Sequence, residues 1–300
     1  MFRLYDAQGP VEAIGEATAV TVGVFDGVHL GHQALLAQLS AAARPRPTLA
    51  VTLTAHPSFV LGRHDSEYWL DDPGEHLRLL FGAGARYVAV LPFTAEVARL
   101  TACQMARIMH DKLNMHSLML GYDSRFGSRQ HDDFDRLPQL AAELEFTLLK
   151  GRPFLVDGEP ISSSRIRSTL MEGRVGDTAA LLGRPFSVDG TVLHGRGVGH
   201  TLGFPTANID LAQTRKMLPK EGVYAVRIGS HTGMANLGPV PTFGIDRPTL
   251  EVHLLDYTGD LYGRQVTVEF RRRLRDIVHF DSAEALRLQL QQDLIDCRRP

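Results

Sequence analysis

Short apolar runs alternate with amphipathic segments through the first half of the chain. Residues 20–24, 49–53, 87–91, 117–120 and 146–149 are runs of strand length, rich in Val, Leu and Ala. Between them, Leu35, Leu36, Leu39 and Ala42 recur at helical spacing, and Pro45 and Pro47 stop that helix. Segments 74–81 and 102–113 read as further helices. Buried strands separated by helices predict a parallel sheet with helices on its faces. From about residue 184 the texture changes. Segments 186–193, 223–228, 234–237, 250–255 and 265–270 alternate or carry β-branched residues, with Gly, Asp and Pro between them. Most have no helix separating them, which predicts an antiparallel sheet or small barrel. A terminal helix follows, with Asp281 and Glu284 as an acidic variant of the capping box and Leu286, Leu290 and Leu294 at four-residue spacing. Leu182-Gly183-Arg184-Pro185 marks the expected boundary, giving domains 1–182 and 183–300.

Composition narrows the classes without choosing among them. A chain of 300 residues accommodates two domains. Its net charge of −2 carries no electrostatic footprint for general nucleic-acid binding. The basic run Arg271–Arg273 reads as a solvated surface. Cys103 and Cys297 occupy apolar positions of helix-like segments and read as buried free thiols rather than a disulfide framework. No secretory apolar core and no segment of membrane-spanning length is present, so the expected setting is cytoplasmic, with neither membrane nor nucleic acid as partner.

The chemistry concentrates at His29-Leu30-Gly31-His32, where the first apolar run passes through glycines into a helix. Three-residue spacing puts both imidazoles on one helical face. A helix N-terminus presents free N–H groups and partial positive charge, which favour phosphate. Three further pieces would gather with it at the carboxyl ends of the strands, where open α/β sheets bind ligands. They are His56-Pro57, Gly121-Tyr122-Asp123-Ser124-Arg125-Phe126-Gly127, and Ile161-Ser162-Ser163-Ser164-Arg165-Ile166-Arg167. The last joins hydroxyls to guanidiniums at a predicted helix start, a natural triphosphate clamp. Arg165 and Arg167 lie two apart and diverge on a regular helix, so at most one points straight at phosphate.

Residues 22–33, VGVFDGVHLGHQ, resemble the signature of the bacterial bifunctional riboflavin kinase/FAD synthetase family, within the nucleotidyltransferases that carry an HxGH motif. Segments 121–127 and 162–167 resemble that family's later adenylyltransferase motifs in the same order. The resemblance implies that His29 and His32 contact ATP phosphates and stabilise the transition state. It further implies ATP contacts for Gly23, Phe25, Asp26, Ser163 and Arg167, and places Asp123 near FMN or a metal and His56 on the FMN side. Two positions depart from the family pattern: Leu53-Thr54-Ala55-His56-Pro57 stands where FEPHP is usual, and Ser124 replaces a usual phenylalanine.

The second half holds a glycine-rich loop, His194-Gly195-Arg196-Gly197-Val198-Gly199-His200, which by itself reads either as a structural turn or as a loop whose Gly195, Gly197 and Gly199 let backbone N–H groups approach a phosphate, that of ATP on the family resemblance. Thr206 and Asn208 follow, two short oxygen-bearing side chains on one face if the segment is extended. That donor set suits Mg²⁺, which takes oxygen ligands beside phosphate. The segment resembles the PTAN motif of flavokinase domains, and residues 250–263, LEVHLLDYTGDLYG, resemble their acidic-strand signature. On that resemblance Glu251 is the general base for the ribityl 5′-hydroxyl, while His253 and Asp256 are structural. Val240 and His200 stand where arginine is common.

Together these resemblances imply a Rossmann-like nucleotidyltransferase sheet, followed by a flavokinase β-barrel with a C-terminal helix. The implied activities are phosphorylation of riboflavin to FMN and adenylylation of FMN to FAD, with ATP as co-substrate and Mg²⁺ as metal. Flavoenzyme apoproteins enter as possible transient acceptors. The competing readings are a riboflavin kinase whose first half is impaired, and a non-catalytic flavin- or nucleotide-binding regulator.

Overall fold

Four strands with mostly buried residues organise the first part of the chain, β3 (Thr18–Val22), β4 (Thr48–Leu53), β5 (Tyr87–Leu91) and β6 (Met115–Leu120), with the more exposed β7 (Thr147–Lys150) at the edge. The structure is a computed structural model and describes residues 2–54, 69–124, 127–128, 133–195, 203–238 and 248–299. Contacts divide the chain into two compact units, Met1–Ser163 and Ser164–Pro300.

In the first unit the sheet has seven strands in the order β2-β1-β5-β4-β3-β6-β7. Strands β5, β4, β3, β6 and β7 run parallel, and the hairpin β1 (Arg3–Asp6)–β2 (Gly9–Val11) adds antiparallel to β5. The sequence pattern does not announce that hairpin. Its turn is held locally, by Asp6 Oδ1 accepting from the N–H groups of Gln8 and Gly9 at 2.8 and 3.1 Å.

Successive residues of the parallel strands face opposite sides. Val20, Val51, Ala89 and Leu118 meet α3 (Ala102–Leu113) and α4 (Leu137–Glu143) through Met105, Met109, Leu137 and Leu140. Their neighbours Ala19, Ala50, Val88 and Met119 face α1 (Leu30–Ala42) and α2 (Pro73–Gly82). The inward stripe of α1 runs through Leu36, Leu39 and Ala43, whereas the expected Ala42 is exposed. Positions 36, 39 and 43 are spaced as i, i+3 and i+7, the rhythm of one helical face. After β3 the chain builds β4 and β5 on one side, then returns to build β6 and β7 on the other. The strand order therefore reverses beside β3, and the loops after β3 and β6 face each other across a switch point.

The second unit opens with α5 (Ser163–Met171) and α6 (Val175–Leu182). Its six strands β10 (Phe186–Leu193), β11 (Ala207–Asp210), β12 (Gly222–Ile228), β13 (His231–Gly238), β14 (Thr249–Leu254) and β15 (Gln265–Arg275) close a barrel in the order β10-β11-β14-β13-β12-β15. A minor pair, β8 (Leu155–Val156) and β9 (Glu159–Pro160), precedes these in the first unit. Contacts divide the chain ahead of the expected residue-182 boundary because α6 packs on β10 and β15, and Lys220 N–H reaches the Leu170 carbonyl of α5 at 2.8 Å.

Helix α7 (Ala283–Cys297) covers Val223, Ala225 and Met234 with Leu290 and Leu294. Its N-cap is Ser282, whose Oγ accepts from Ala285 N–H at 3.1 Å. The expected cap at Asp281 is one residue too early, because Ser282 has the extended backbone that aims a cap side chain at the first turn. The run Arg271–Arg273 is only partly solvated. Arg272 donates to the Asp296 carbonyl near the C-terminus of α7 at 2.7 Å, and Arg273 donates to the Glu221 carbonyl at 2.7 Å and lies over the Tyr224 ring. Both cysteines are free thiols; Cys297 is buried, and burial pushes its thiol up to about 12, while Cys103 is half-buried. No helix among the described residues is long and apolar enough to cross a membrane.

The strongest ionic staple on α7 is Asp293, 1% exposed, which takes Arg275 in a fork at 2.9 and 2.6 Å and also accepts from Gln289. Asp293→Ala strands Arg275 beside the helix and is expected to cost about 3 kcal/mol. Urea unfolding followed through the second unit measures this, and a change under about 0.5 kcal/mol would contradict it.

Candidate active sites

The turn between β3 and α1 is conformationally expensive. Phe25, Gly27 and Val28 have φ of 53°, 78° and 36°, a left-handed region disfavoured for side chains and most of all for β-branched ones. Hydrogen bonds fix it from several directions. Thr52 Oγ1 donates to the Val24 carbonyl at 3.0 Å, and Gly27 N–H to Asp71 Oδ2 at 3.0 Å. Leu70 N–H donates to Asp26 Oδ1 at 2.7 Å, Ser163 Oγ to the Asp26 carbonyl at 3.1 Å, and Gln33 Nε2 to the Val28 carbonyl at 2.9 Å.

The turn delivers His29 to the N-cap of α1, where its carbonyl accepts from the N–H groups of His32 and Gln33. The two imidazoles stack with centroids 3.6 Å apart and an interplanar angle of 19°. The Phe25 ring meets His32 edge-on at 5.2 Å. A Cβ on Gly31 would sit 3.1 Å from the His29 ring, so glycine is what lets that ring lie across the helix start. Burial, with help from His29 and His76, holds the His32 imidazole well below its usual range. Its Nδ1 is buried and has no hydrogen-bond partner among the described residues.

A cavity of about 220 Å³ opens beside the pair, lined also by Asp123, Ser162 and Ser163. Four of the expected residues, His29, His32, Asp123 and Ser163, therefore meet on one cavity. Gly23, Phe25 and Asp26 lie in the turn behind it, with Phe25 and Asp26 buried and the Phe25 ring 3.4 Å from where a Gly23 Cβ would stand. Arg167 is half-buried on α5, in the second unit. His56 and Ala55 lie outside the described residues. Tyr122, from the expected 121–127 segment, also lines the cavity, as do Arg152 and Phe154, which sequence reasoning passed over; all three are exposed. The signal for the last two was present in Gly151-Arg152-Pro153-Phe154, which follows β7 at the same end of the sheet. The Gln38 side chain clamps that segment, bonding both backbone groups of Arg152 at 2.8 and 3.1 Å.

In the second unit, strand pairing assembles the site. Glu251 on β14 stands opposite Asn208 on β11 and Asn236 on β13. Directly paired residues project from the same sheet face. Leu250, Val252 and Leu254 alternate with Glu251 and are buried, so Glu251 projects away from the packed barrel interior. It borders a cavity of about 390 Å³ together with Thr206, Asn236 and His253, under Phe280 and Leu290.

His253 Nδ1 lies 2.8 Å from the Pro205 carbonyl. A carbonyl only accepts, so Nδ1 carries the proton and the ring anchors the segment leading to Thr206. Asp256 pairs with Arg298 at 3.0 Å. Both residues thus hold the fold, as their expected structural roles require. The Asn208 amide lies against Gly195, where a Cβ would be 2.0 Å from Nδ2. Gly197, Gly199, His200 and Val240 lie outside the described residues.

A larger hollow, about 1060 Å³, does not have Glu251 in its lining and is bordered by Arg227, Arg271, Arg272, Arg298 and Arg299. Each of these guanidiniums is already engaged: Arg227 and Arg271 with Glu269, Arg272 with backbone carbonyls, Arg298 with Asp256, and Arg299 with Asp296.

Comparison with known proteins matches both halves. Residues 11–165 fit the family model for FAD synthetase, and residues 182–299 the family model for riboflavin kinase. The bifunctional riboflavin kinase/FMN adenylyltransferase of Escherichia coli (strain K12) is 36% identical over 295 residues, covering 96% of this chain and 94% of that protein. The protein of the same name from Pseudomonas fluorescens is 36% identical over 292 residues, covering 93% and 91%. A crystal structure titled as a macrolide-efflux protein from Streptococcus pneumoniae superposes with a TM-score of 0.87 at 32% identity, covering 96% of each chain. With both halves matched and relatives aligned almost end to end, the chain belongs to the bifunctional riboflavin kinase/FMN adenylyltransferase family.

Proposed function

We propose that this chain phosphorylates riboflavin to FMN and adenylylates FMN to FAD, the second half (183–300) doing the first reaction and the first half (1–182) the second. The observation that carries the reading is that each unit gathers its own constellation on its own cavity: His29, His32 and Ser163 in one, Thr206 and Glu251 in the other.

In adenylyl transfer an oxygen of the FMN phosphate attacks the α-phosphorus of ATP, and the bond to pyrophosphate breaks. No side chain needs to form a covalent bond, so the work is positioning and stabilisation of charge. The N-terminus of α1 and the stacked pair supply N–H donors. His32, neutral when the site is free, acts as such a donor, and an approaching triphosphate favours its protonated form. Ser163 adds a contact to the ATP phosphates. Gly23, Phe25 and Asp26 act by shaping the turn, while Asp123 and His56 serve the FMN side.

In phosphoryl transfer the ribityl 5′-hydroxyl attacks the γ-phosphorus, Glu251 accepts the hydroxyl proton and ADP leaves. The glycines at 195, 197 and 199 let backbone N–H groups approach the ATP phosphates. Thr206 and Asn208 offer a hydroxyl and an amide oxygen, a hard neutral donor set that fits Mg²⁺ beside phosphate. Mg²⁺ bound there would neutralise charge on the transferring phosphate. Asn208, seated over Gly195, ties that position to the start of the glycine loop.

Incubation with riboflavin, ATP and Mg²⁺ followed by chromatography of the flavins is expected to yield FMN and then FAD. FMN alone would leave only the kinase half of the proposal standing, and unchanged riboflavin would remove both. Glu251→Gln is expected to slow riboflavin phosphorylation by about a hundredfold or more while FAD formation from added FMN persists. Undiminished phosphorylation would displace Glu251 as the base. His29→Ala/His32→Ala should reduce FAD formation by about a hundredfold or more and spare the kinase; equal loss of both activities would contradict the division of labour. Excess chelator should stop both reactions, and full turnover in its presence would exclude the metal's role.

A further inference from the structure

One buried chain of polar groups ends on the phosphate-binding turn at both of its ends. Asp71 is 3% exposed and His76, on α2, is 8% exposed. Asp71 Oδ2 accepts the Gly27 N–H at 3.0 Å and lies 3.0 Å from His76 Nδ1. His76 Nε2 lies 2.9 Å from Thr52 Oγ1, which lies 3.0 Å from the Val24 carbonyl. Val24 and Gly27 bracket the left-handed Phe25 and precede His29. We propose that Asp71 and His76 are positioning residues for adenylyl transfer, holding the turn that aims His29 and His32; this rests on the α-phosphorus chemistry assigned above to the first unit.

Counting protons shows what the pair does. The Val24 carbonyl and the Asp71 carboxylate only accept, and Thr52 has a single hydroxyl proton. If that proton serves Val24, His76 must donate from Nε2 to Thr52 and from Nδ1 to Asp71. Every contact is then filled, with His76 an imidazolium against the Asp71 carboxylate. If the imidazole carries one proton, on Nδ1, the Thr52 proton has two acceptors, Nε2 and Val24, and the tether at the start of the turn is shared. In either arrangement the chain Asp71–His76–Thr52 ties the Gly27 end of the turn to its Val24 end.

Such a tether is needed. Val28 at φ 36° and Phe25 at φ 53° persist only where the surroundings over-determine them. His76 is also one of the groups that disfavour protonation of His32.

The test uses the full chain with Asp71→Asn, which keeps the size and an acceptor for Gly27 but removes the negative charge, and His76→Gln as a second variant. FAD formation from FMN is measured by steady-state kinetics, with riboflavin phosphorylation in the same chain as internal control. Since a displacement of about 1 Å at a transfer site costs up to roughly a hundredfold, kcat for FAD formation is expected to fall about tenfold or more in each variant. KM for FMN and ATP should stay within about threefold and the kinase should be unchanged. Residues acting as one unit lose activity together, so the double variant should fall little below the worse single one. Variants with kcat within about twofold of the parent, multiplicative losses in the double variant, or a rise in KM with kcat intact each overturn the proposal. A parent chain that forms no FAD at all overturns the underlying adenylyl-transfer reading as well, whereas normal parent activity with silent variants overturns the positioning role alone.

Discussion

A backbone turn that is uphill by itself governs the first unit. Between β3 and α1 the chain takes left-handed values at Phe25 and Val28 as well as at Gly27, so its shape must be imposed from outside. The impositions are hydrogen bonds from Thr52 and Gln33, from Ser163, and through Asp71 and the Asp26 carboxylate. They come from four different stretches of sequence, and all of them converge on four residues, Val24, Asp26, Gly27 and Val28. The reward is that α1 starts where the strand order reverses, with two stacked imidazoles on its first turn facing a cavity. Phosphate chemistry at that spot needs no further machinery than N–H groups, hydroxyls and a fixed geometry.

The second unit reaches the same kind of outcome by a different constraint, strand register. Asn208, Glu251 and Asn236 come from three strands and share a face only because β11, β14 and β13 pair as they do. A slip of one residue would turn Glu251 into the packed interior and bring Leu250 or Val252 out. Helix α7, held by the buried Asp293–Arg275 fork, then roofs the cavity. One unit thus fixes its chemistry through a clamped turn, the other through a closed barrel that leaves no register free.

Most of the architecture was legible because burial writes itself into pattern. Residues 49–53 and 87–91 read as strands, 102–113 as a helix, and the alternating runs after residue 184 as an antiparallel barrel, and all are present. What was illegible turns on single residues or on tertiary proximity. Ala42 and Ala43 differ in burial by one step of helix phase, and Asp281 and Ser282 by one step of cap position. The arginines at 272 and 273 look solvated until the C-terminal carbonyls of α7 and the Tyr224 ring come to meet them. The stacking of His29 on His32 was readable because their three-residue spacing is local. Arg152 and Phe154 could have been found by extending the strand-end rule to β7. Asp71 and His76 could not, because nothing in their own segment says that Thr52 and Gly27 lie within reach.

One chain contains an α-phosphorus chemistry and a γ-phosphorus chemistry. Isotope tracing tests it most directly. Riboflavin is supplied with ATP labelled at either the α- or the γ-phosphate, and the label is followed into the separated flavins. The expected outcome is γ-label in both FMN and FAD, and α-label in FAD alone. Label from the α-phosphate in FMN, or FAD formed without it, would rule this division out.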